Sequence, residues 1–111
     1  MDPKIISKKK RPEGERQDRI EKYLTDRGWS VRSTHGNMYM AGFPDLYACH
    51  RSYGSRWIEV KNPDHFVFTP AQLEYFPELG AHGVGVWILI DGTEEEYKKL
   101  FRPFNWWQYL Q

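Results

Sequence analysis

The sequence has almost no cysteine: Cys49 stands alone among 111 residues. One thiol excludes an intrachain disulfide framework and suits a reducing cytoplasm, which is the expected location. Long hydrophobic runs are missing too. The most apolar stretch, "VGVWILI" from Val84 to Ile90, falls far short of the roughly 20 residues a membrane-spanning helix needs. The N-terminus is basic but lacks the apolar segment of a secretory leader. No sign of charge dominates: the formal net charge is +1, which alone says nothing about nucleic acid. There is no phosphate-binding G-x-x-x-x-G-K, and "GVG" at 83–85 precedes a strand-like segment where a dinucleotide fingerprint would follow one. His35, His50, His65, His82 and Cys49 match no zinc-site spacing.

What is present is a globular composition, 40% hydrophobic and 28% charged, in a length that suits one domain with a modest core. The charge is unevenly placed. Residues 4–11, "KIISKKKR", hold five positive charges, and residues 91–96, "DGTEEE", hold four negative ones. A basic arm over residues 1–12 is expected to precede a single domain over 13–111. In that arm Lys8, Lys9, Lys10 and Arg11 are candidates for contacts to a phosphate backbone, against the plainer reading of a solvated tail.

Periodicity supplies the elements. Pro12 suits the first turn of a helix, and Glu13, Gln17, Ile20 and Leu24 recur at helical spacing until Gly28. "WSVRSTH" (29–35) reads as a strand with Trp29, Val31 and Ser33 on one face, followed by a glycine-containing loop. "LYACH" and "RWIEV" read as a hairpin turned by "RSYGS". Thr69 and Pro70 open a second helix as N-cap and first position; Pro77 is expected to kink or shorten it, and Gly80 or Gly83 to end it. "VGVWILI" is expected as a fully buried strand and "TEEEYKKLF" as a short last helix. The order α-β-β-β-α-β-α predicts an α/β fold, a mixed sheet flanked by helices.

The hairpin carries an oddity, because Asp45 stands at its mouth and Glu59 and Lys61 lie within its second strand. Alternation places Asp45, Tyr47 and Cys49 on one face, and Trp57, Glu59 and Lys61 likewise. If His50 pairs with Arg56, Asp45 falls opposite Lys61 and Tyr47 opposite Glu59. Asp45 and Glu59 are then diagonal neighbours with Cβ atoms roughly 7 Å apart. Two carboxylates so placed repel unless a cation neutralises them. Mg²⁺ (or Mn²⁺) suits such oxygen ligands while keeping waters for substrate phosphates, and Lys61 can orient a water or stabilise charge on a phosphate. The plain alternative is a solvated hairpin face with an ordinary cross-strand ion pair.

"FPDLYA" followed by "RWIEVKN" resembles the PD-(D/E)XK nuclease superfamily, with Pro44-Asp45 and Glu59-Val60-Lys61 as its two signatures. The match is nearer to the virus-type replication-repair nuclease (VRR-NUC) branch, which is similar to Holliday-junction resolvases. That branch reads E-x-x-x-Q, G-x-PDL, ExK and S/T-x-x-Q. This sequence has Glu13…Gln17, Gly42-Phe43-Pro44-Asp45-Leu46, Glu59-Val60-Lys61 and Thr69…Gln72 in that order. The resemblance implies a restriction-endonuclease-like core and metal-dependent cleavage of DNA phosphodiesters. Asp45, Glu59 and the Val60 carbonyl would hold the metal, with Lys61 beside the water. Glu13, Gln17 and Gln72 would complete the catalytic set. Related resolvases carry a glutamate where Gln17 stands, so Gln17 is a neutral substitute; Glu13 lies one turn earlier on the same face, and Glu15 lies round the helix from Leu24. Each also has a structural role open to it: Glu13 complements the helix dipole, and Thr69-x-x-Gln72 is a capping box. A phage or mobile-element source is implied by the family alone.

The expected function is therefore a Mg²⁺-dependent DNA endonuclease that selects shape, such as a junction, flap or end, and works as a homodimer offering two sites. The alternatives are a nucleic-acid-binding module that no longer cleaves and a nuclease acting on RNA. The terminal "FRPFNWWQYL" holds five aromatics in ten residues, expected to pack on the core or a second subunit rather than to stack on bases.

Overall fold

The computed structural model describes residues 12–34, 41–64 and 66–109, with the side chains of 12–14 excepted. Lys8, Lys9, Lys10, Arg11, His35 and His65 lie outside the described residues, as does the side chain of Glu13.

Helix α1 spans Pro12–Asp26. Its inward stripe, Ile20 and Leu24, is fully buried, and it ends where Gly28 adopts φ +91°. There the Gly28 N–H donates to Thr25 O (3.2 Å) and the Trp29 N–H to Leu24 O (3.0 Å), which forms a Schellman motif. Trp29 and Leu24 meet in the same core cluster, adding the hydrophobic contact that usually seals such an end.

The sheet has the order β1 (Ser30–Ser33), β2 (Leu46–His50), β3 (Gly54–Lys61), β4 (Val86–Ile90). The first three strands form an antiparallel meander, and β4 lies parallel to β3. A parallel neighbour requires a crossover, which helix α2 (Pro70–Ala81) supplies. Helix α3 (Glu94–Tyr97) and 3-10 turns at Lys98–Phe101 and Trp106–Gln108 complete the chain. One sheet face buries Leu46, Ala48, Ile58, Val60 and Leu89 against Ile20, Leu24 and Leu100; the other packs Val86 and Ile88 against Phe76 of α2. This is the mixed sheet between helices that the periodicity predicts.

Three local expectations need correction. The hairpin turn is shorter than five residues: Arg51–Tyr53 turn, and Gly54, at φ +82°, already pairs with His50. Arg56 therefore lies opposite Ala48, two positions from the expected register. A left-handed glycine lets the chain reverse sooner, and an even slip leaves every side chain on its expected face. Helix α2 runs unbroken past Pro77 and Gly80 to Ala81 and, of the two expected glycines, ends at Gly83, which adopts φ +82°. Pro77 and Leu73, whose carbonyl lost its donor, are both exposed, which lowers the cost of the missing bond, while buried Phe76 holds the helix to the sheet. The last strand starts at Val86 rather than Val84, because the Val84 N–H is used to close α2 on Leu79 O (2.8 Å).

The β4 edge is covered by side chains. Asn105 accepts from the Ile88 N–H (2.7 Å) and donates to Ile88 O (3.2 Å), and Glu96 accepts from the Ile90 N–H. Among the described residues no helix is long and apolar enough to cross a membrane.

Candidate active site

Four strand ends meet at one edge of the sheet: the ends of β1, β3 and β4 and the start of β2. Asp45 immediately precedes β2. Continuing the register by one residue from Leu46 opposite Ile58 brings Asp45 directly opposite Glu59, not diagonal to it. The two acids are interlocked through the backbone. Glu59 Oε1 accepts from the Asp45 N–H (3.0 Å), and Asp45 Oδ2 accepts from the Val60 N–H (2.9 Å).

The second Glu59 oxygen faces α2. Oε2 accepts from Gln72 Nε2 (2.8 Å) and lies 3.0 Å from Lys61 Nζ. Lys61 also donates to Gln72 Oε1 (3.3 Å) and to the Val67 carbonyl (2.9 Å), and its ammonium sits 4.7 Å from the centre of the Phe68 ring. Glu59, Lys61 and Gln72 are only 3%, 6% and 7% exposed. Burial is the main force raising the Glu59 pKa to about 7; repulsion from Asp45 adds to it, while the charge and hydrogen bond of Lys61 and the hydrogen bond of Gln72 pull it down.

Local sequence explains the placement. Thr69 accepts from the Gln72 N–H (3.1 Å) while Gln72 Oε1 accepts from the Thr69 N–H (3.0 Å), a complete capping box. Gln72 thus caps its own helix with one amide atom and reaches Glu59 with the other. The capping box and the contact to Glu59 therefore coexist in one side chain. Gly42, at φ +86°, passes so close to α2 that a Cβ there would lie 2.8 Å from Ala71 O. That approach seats the Pro44-Asp45 turn against the helix carrying Gln72.

The backbone of β3 adds a further oxygen. The N–H and C=O of one strand residue point to the same side, so the Val60 carbonyl faces the β2 side, where its N–H meets Asp45. The next carbonyl, that of Lys61, faces β4 and accepts from the Asp91 N–H (2.9 Å). Among the described residues no group of three His, Cys, Asp or Glu side chains converges to hold a metal. The oxygens gathered here are two carboxylates and a peptide carbonyl.

Gln17 reaches the same edge from the α1 side and donates to Ser33 Oγ (3.2 Å); Ser33 pairs with Leu46, the residue after Asp45. Glu15 is exposed, and the Glu13 side chain is outside the described residues. Near Gln17, Arg16 pairs with Asp91 (3.0 Å), fixing α1 to the end of β4.

Sequence reading missed two parts of this edge. Thr34 donates its backbone N–H to Asp45 O (2.9 Å) and its hydroxyl to Pro44 O, which pins the Pro44-Asp45 turn. Val67 and Phe68, read only as a linker, enclose the Lys61 ammonium. A carbonyl leaves no mark in sequence, but an aromatic residue following an acidic-lysine strand was a usable signal for Phe68.

No family model matches this sequence, and no curated protein matches it. Among solved structures, 84% of this chain aligns with 98% of a chain described as a VRR_NUC domain, with a TM-score of 0.66 and 22% sequence identity. The protein has the α/β fold of a VRR_NUC domain.

Proposed function

We propose that the protein is a divalent-metal-dependent DNA endonuclease. The observation that carries this reading is the buried Glu59 carboxylate, set directly across from Asp45 and flanked by Lys61 and Gln72. Two acids brought together in a poorly solvated corner destabilise each other unless something positive joins them. Lys61 brings positive charge to within 3.0 Å of Glu59, and a hard cation bound between the two acids would bring more. Asp45, Glu59 and the Val60 carbonyl are oxygen donors of the kind Mg²⁺ or Mn²⁺ takes, and they would hold the ion. Bound there, it would acidify a water and neutralise charge on the scissile phosphate.

The chain's own residues do the rest. Gln72 orients Glu59 through its amide nitrogen and Lys61 through its amide oxygen, holding the pair in one geometry. The Lys61 ammonium, fixed by Val67 O and the Phe68 ring, would stabilise negative charge as it develops on phosphate. Gln17, which reaches this edge from α1, and Glu13, one turn earlier in the sequence, are candidates for orienting water or the ion's hydration shell. Lys8, Lys9, Lys10 and Arg11 would add phosphate contacts outside the site. The finer proposal is action on branched, flapped or free DNA ends, by a homodimer whose two sites serve a symmetric junction.

One observation favours a second reading. Gln17 is neutral and is bonded to Ser33, and no third acidic side chain joins the pair among the described residues, which would suit a binding module that does not cleave. Nicking assays on junction, flap, blunt duplex, single-stranded DNA and RNA, each with Mg²⁺, Mn²⁺ or Ca²⁺, separate the readings. Cleavage with Mg²⁺ that Glu59→Gln abolishes supports the nuclease. Binding without cleavage on every substrate supports the module.

A further inference from the structure

We propose that the loop after β3 and the C-terminal aromatic segment form a track for an unpaired DNA strand leading away from Lys61. The placement beside Lys61 rests on the nuclease reading; the track itself is a binding surface and can be tested without cleavage.

A row of rings starts at the site. Phe68 lies under the Lys61 ammonium at 4.7 Å. Phe66 follows with its centroid 6.1 Å from Phe68, and Tyr109 follows 6.5 Å from Phe66. Tyr109 lines a cleft of about 380 Å³ shared with Arg102, Phe104, Trp107 and Gln108. Phe66, Phe104 and Trp107 are 37%, 38% and 50% exposed.

Phe68 and Tyr109 pack against the Phe76, Val86 and Ile88 cluster, and Phe104 fills the space over Gly85, whereas Phe66 and Trp107 stay exposed. Trp106 fills the space over Gly80, where a Cβ would come within 2.7 Å of its ring, and Asn105 covers the β4 edge. Trp107, the next residue, points outward. Exposed Trp107 and Phe66, flanked by the part-exposed Phe104 and Tyr109 and by an amide beside a cation, are the parts of a single-strand surface: ring surface for any base and a charge for the backbone. Lys99 is held by Glu96 at 2.7 Å, so Arg102 is the cleft's phosphate contact. Duplex DNA hides its base faces and has no use for such a row, so the occupant that fits is an unpaired strand.

The test titrates the full chain with a short oligothymidylate and with a blunt duplex of equal length, Ca²⁺ replacing Mg²⁺, reading tryptophan fluorescence and anisotropy. Trp107→Ala should weaken oligothymidylate binding by about 5- to 150-fold, the range for losing one stacked base, and leave duplex binding unchanged. Phe66→Ala should act in the same direction. Arg102→Ala should flatten the single-strand salt dependence by about 0.7. Unchanged single-strand affinity in Trp107→Ala and Phe66→Ala would overturn the proposal. So would equal losses on both DNAs, or a dimer-to-monomer shift on sizing with affinity intact, which would make this face a self-interface. The wild type and Asp45→Asn are assayed for cleavage in parallel. If the wild type binds through Trp107 but never cleaves, the track stands and the nuclease reading fails.

Discussion

Gln72 donates to Glu59 Oε2 at 2.8 Å from the first turn of α2, and the same side chain closes the cap of that helix. One residue therefore couples helix stability to the orientation of the buried carboxylate. Gln72→Ala should cost about 1–3 kcal/mol, since it removes one of the two donors to a buried carboxylate oxygen and opens the capping box. Gln72→Glu keeps the cap but sets a third acid against Glu59 and Asp45. Its melting temperature should fall below wild type at pH 8 and recover on acidification or on adding Mg²⁺. Thermal unfolding across pH checks both, and equal losses at all pH values would remove the electrostatic coupling.

The isosteres Asp45→Asn and Glu59→Gln test the acids directly. Each should nearly abolish Mg²⁺-dependent nicking, while DNA binding without metal persists or tightens because repulsion toward phosphate is gone. Lys61→Ala should keep metal binding, read by calorimetry, and lose on the order of 10²–10³ in kcat, the scale of one well-placed charge in a transition state. Nicking at wild-type rate by Glu59→Gln would sink the assignment.

Glu59 also makes stability depend on pH. Its pKa in the folded protein is raised to about 7, above the roughly 4.3 of an unfolded chain. Between these values the folded state binds more protons than the unfolded one, so its contribution to stability falls as pH rises through the window. Glu59→Gln lacks this term. The melting temperature of Glu59→Gln minus that of wild type, measured in EDTA, should therefore grow from pH 5 to pH 8. Mg²⁺ should shrink the difference at pH 8 by stabilising the ionised wild type. A difference that stays flat with pH would mean Glu59 titrates normally.

The basic arm is expected to supply affinity and no chemistry. Replacing Lys8, Lys9, Lys10 and Arg11 by alanine removes at most four phosphate contacts, so the salt slope of duplex binding should flatten by up to about 3.6. Turnover at saturating DNA should be unchanged. An identical slope would leave the arm a solvated tail.

Much of this was legible in the sequence because it depends on short-range rules. The spacing of Ile20 and Leu24, the alternation of Trp57, Glu59 and Lys61, and the Thr69-x-x-Gln72 cap are each set within a few residues. Each holds in the fold. The Gly54 conformation was not readable: nothing within the hairpin alone says whether a glycine will sit at φ +82° or lie inside a longer loop. That choice moved Asp45 from opposite Lys61 to opposite Glu59.

Local pattern determined the elements, their faces and the residue types brought to one sheet edge, because backbone geometry repeats every two or 3.6 residues whatever lies beyond. Tertiary structure alone decided what those residues touch. Lys61 is fixed by the Val67 carbonyl and the Phe68 ring, the Pro44-Asp45 turn by Thr34, and the β4 edge by Asn105. Backbone carbonyls are the same in every residue, so a contact to one leaves no trace in residue type. Only the folded path of the chain places them.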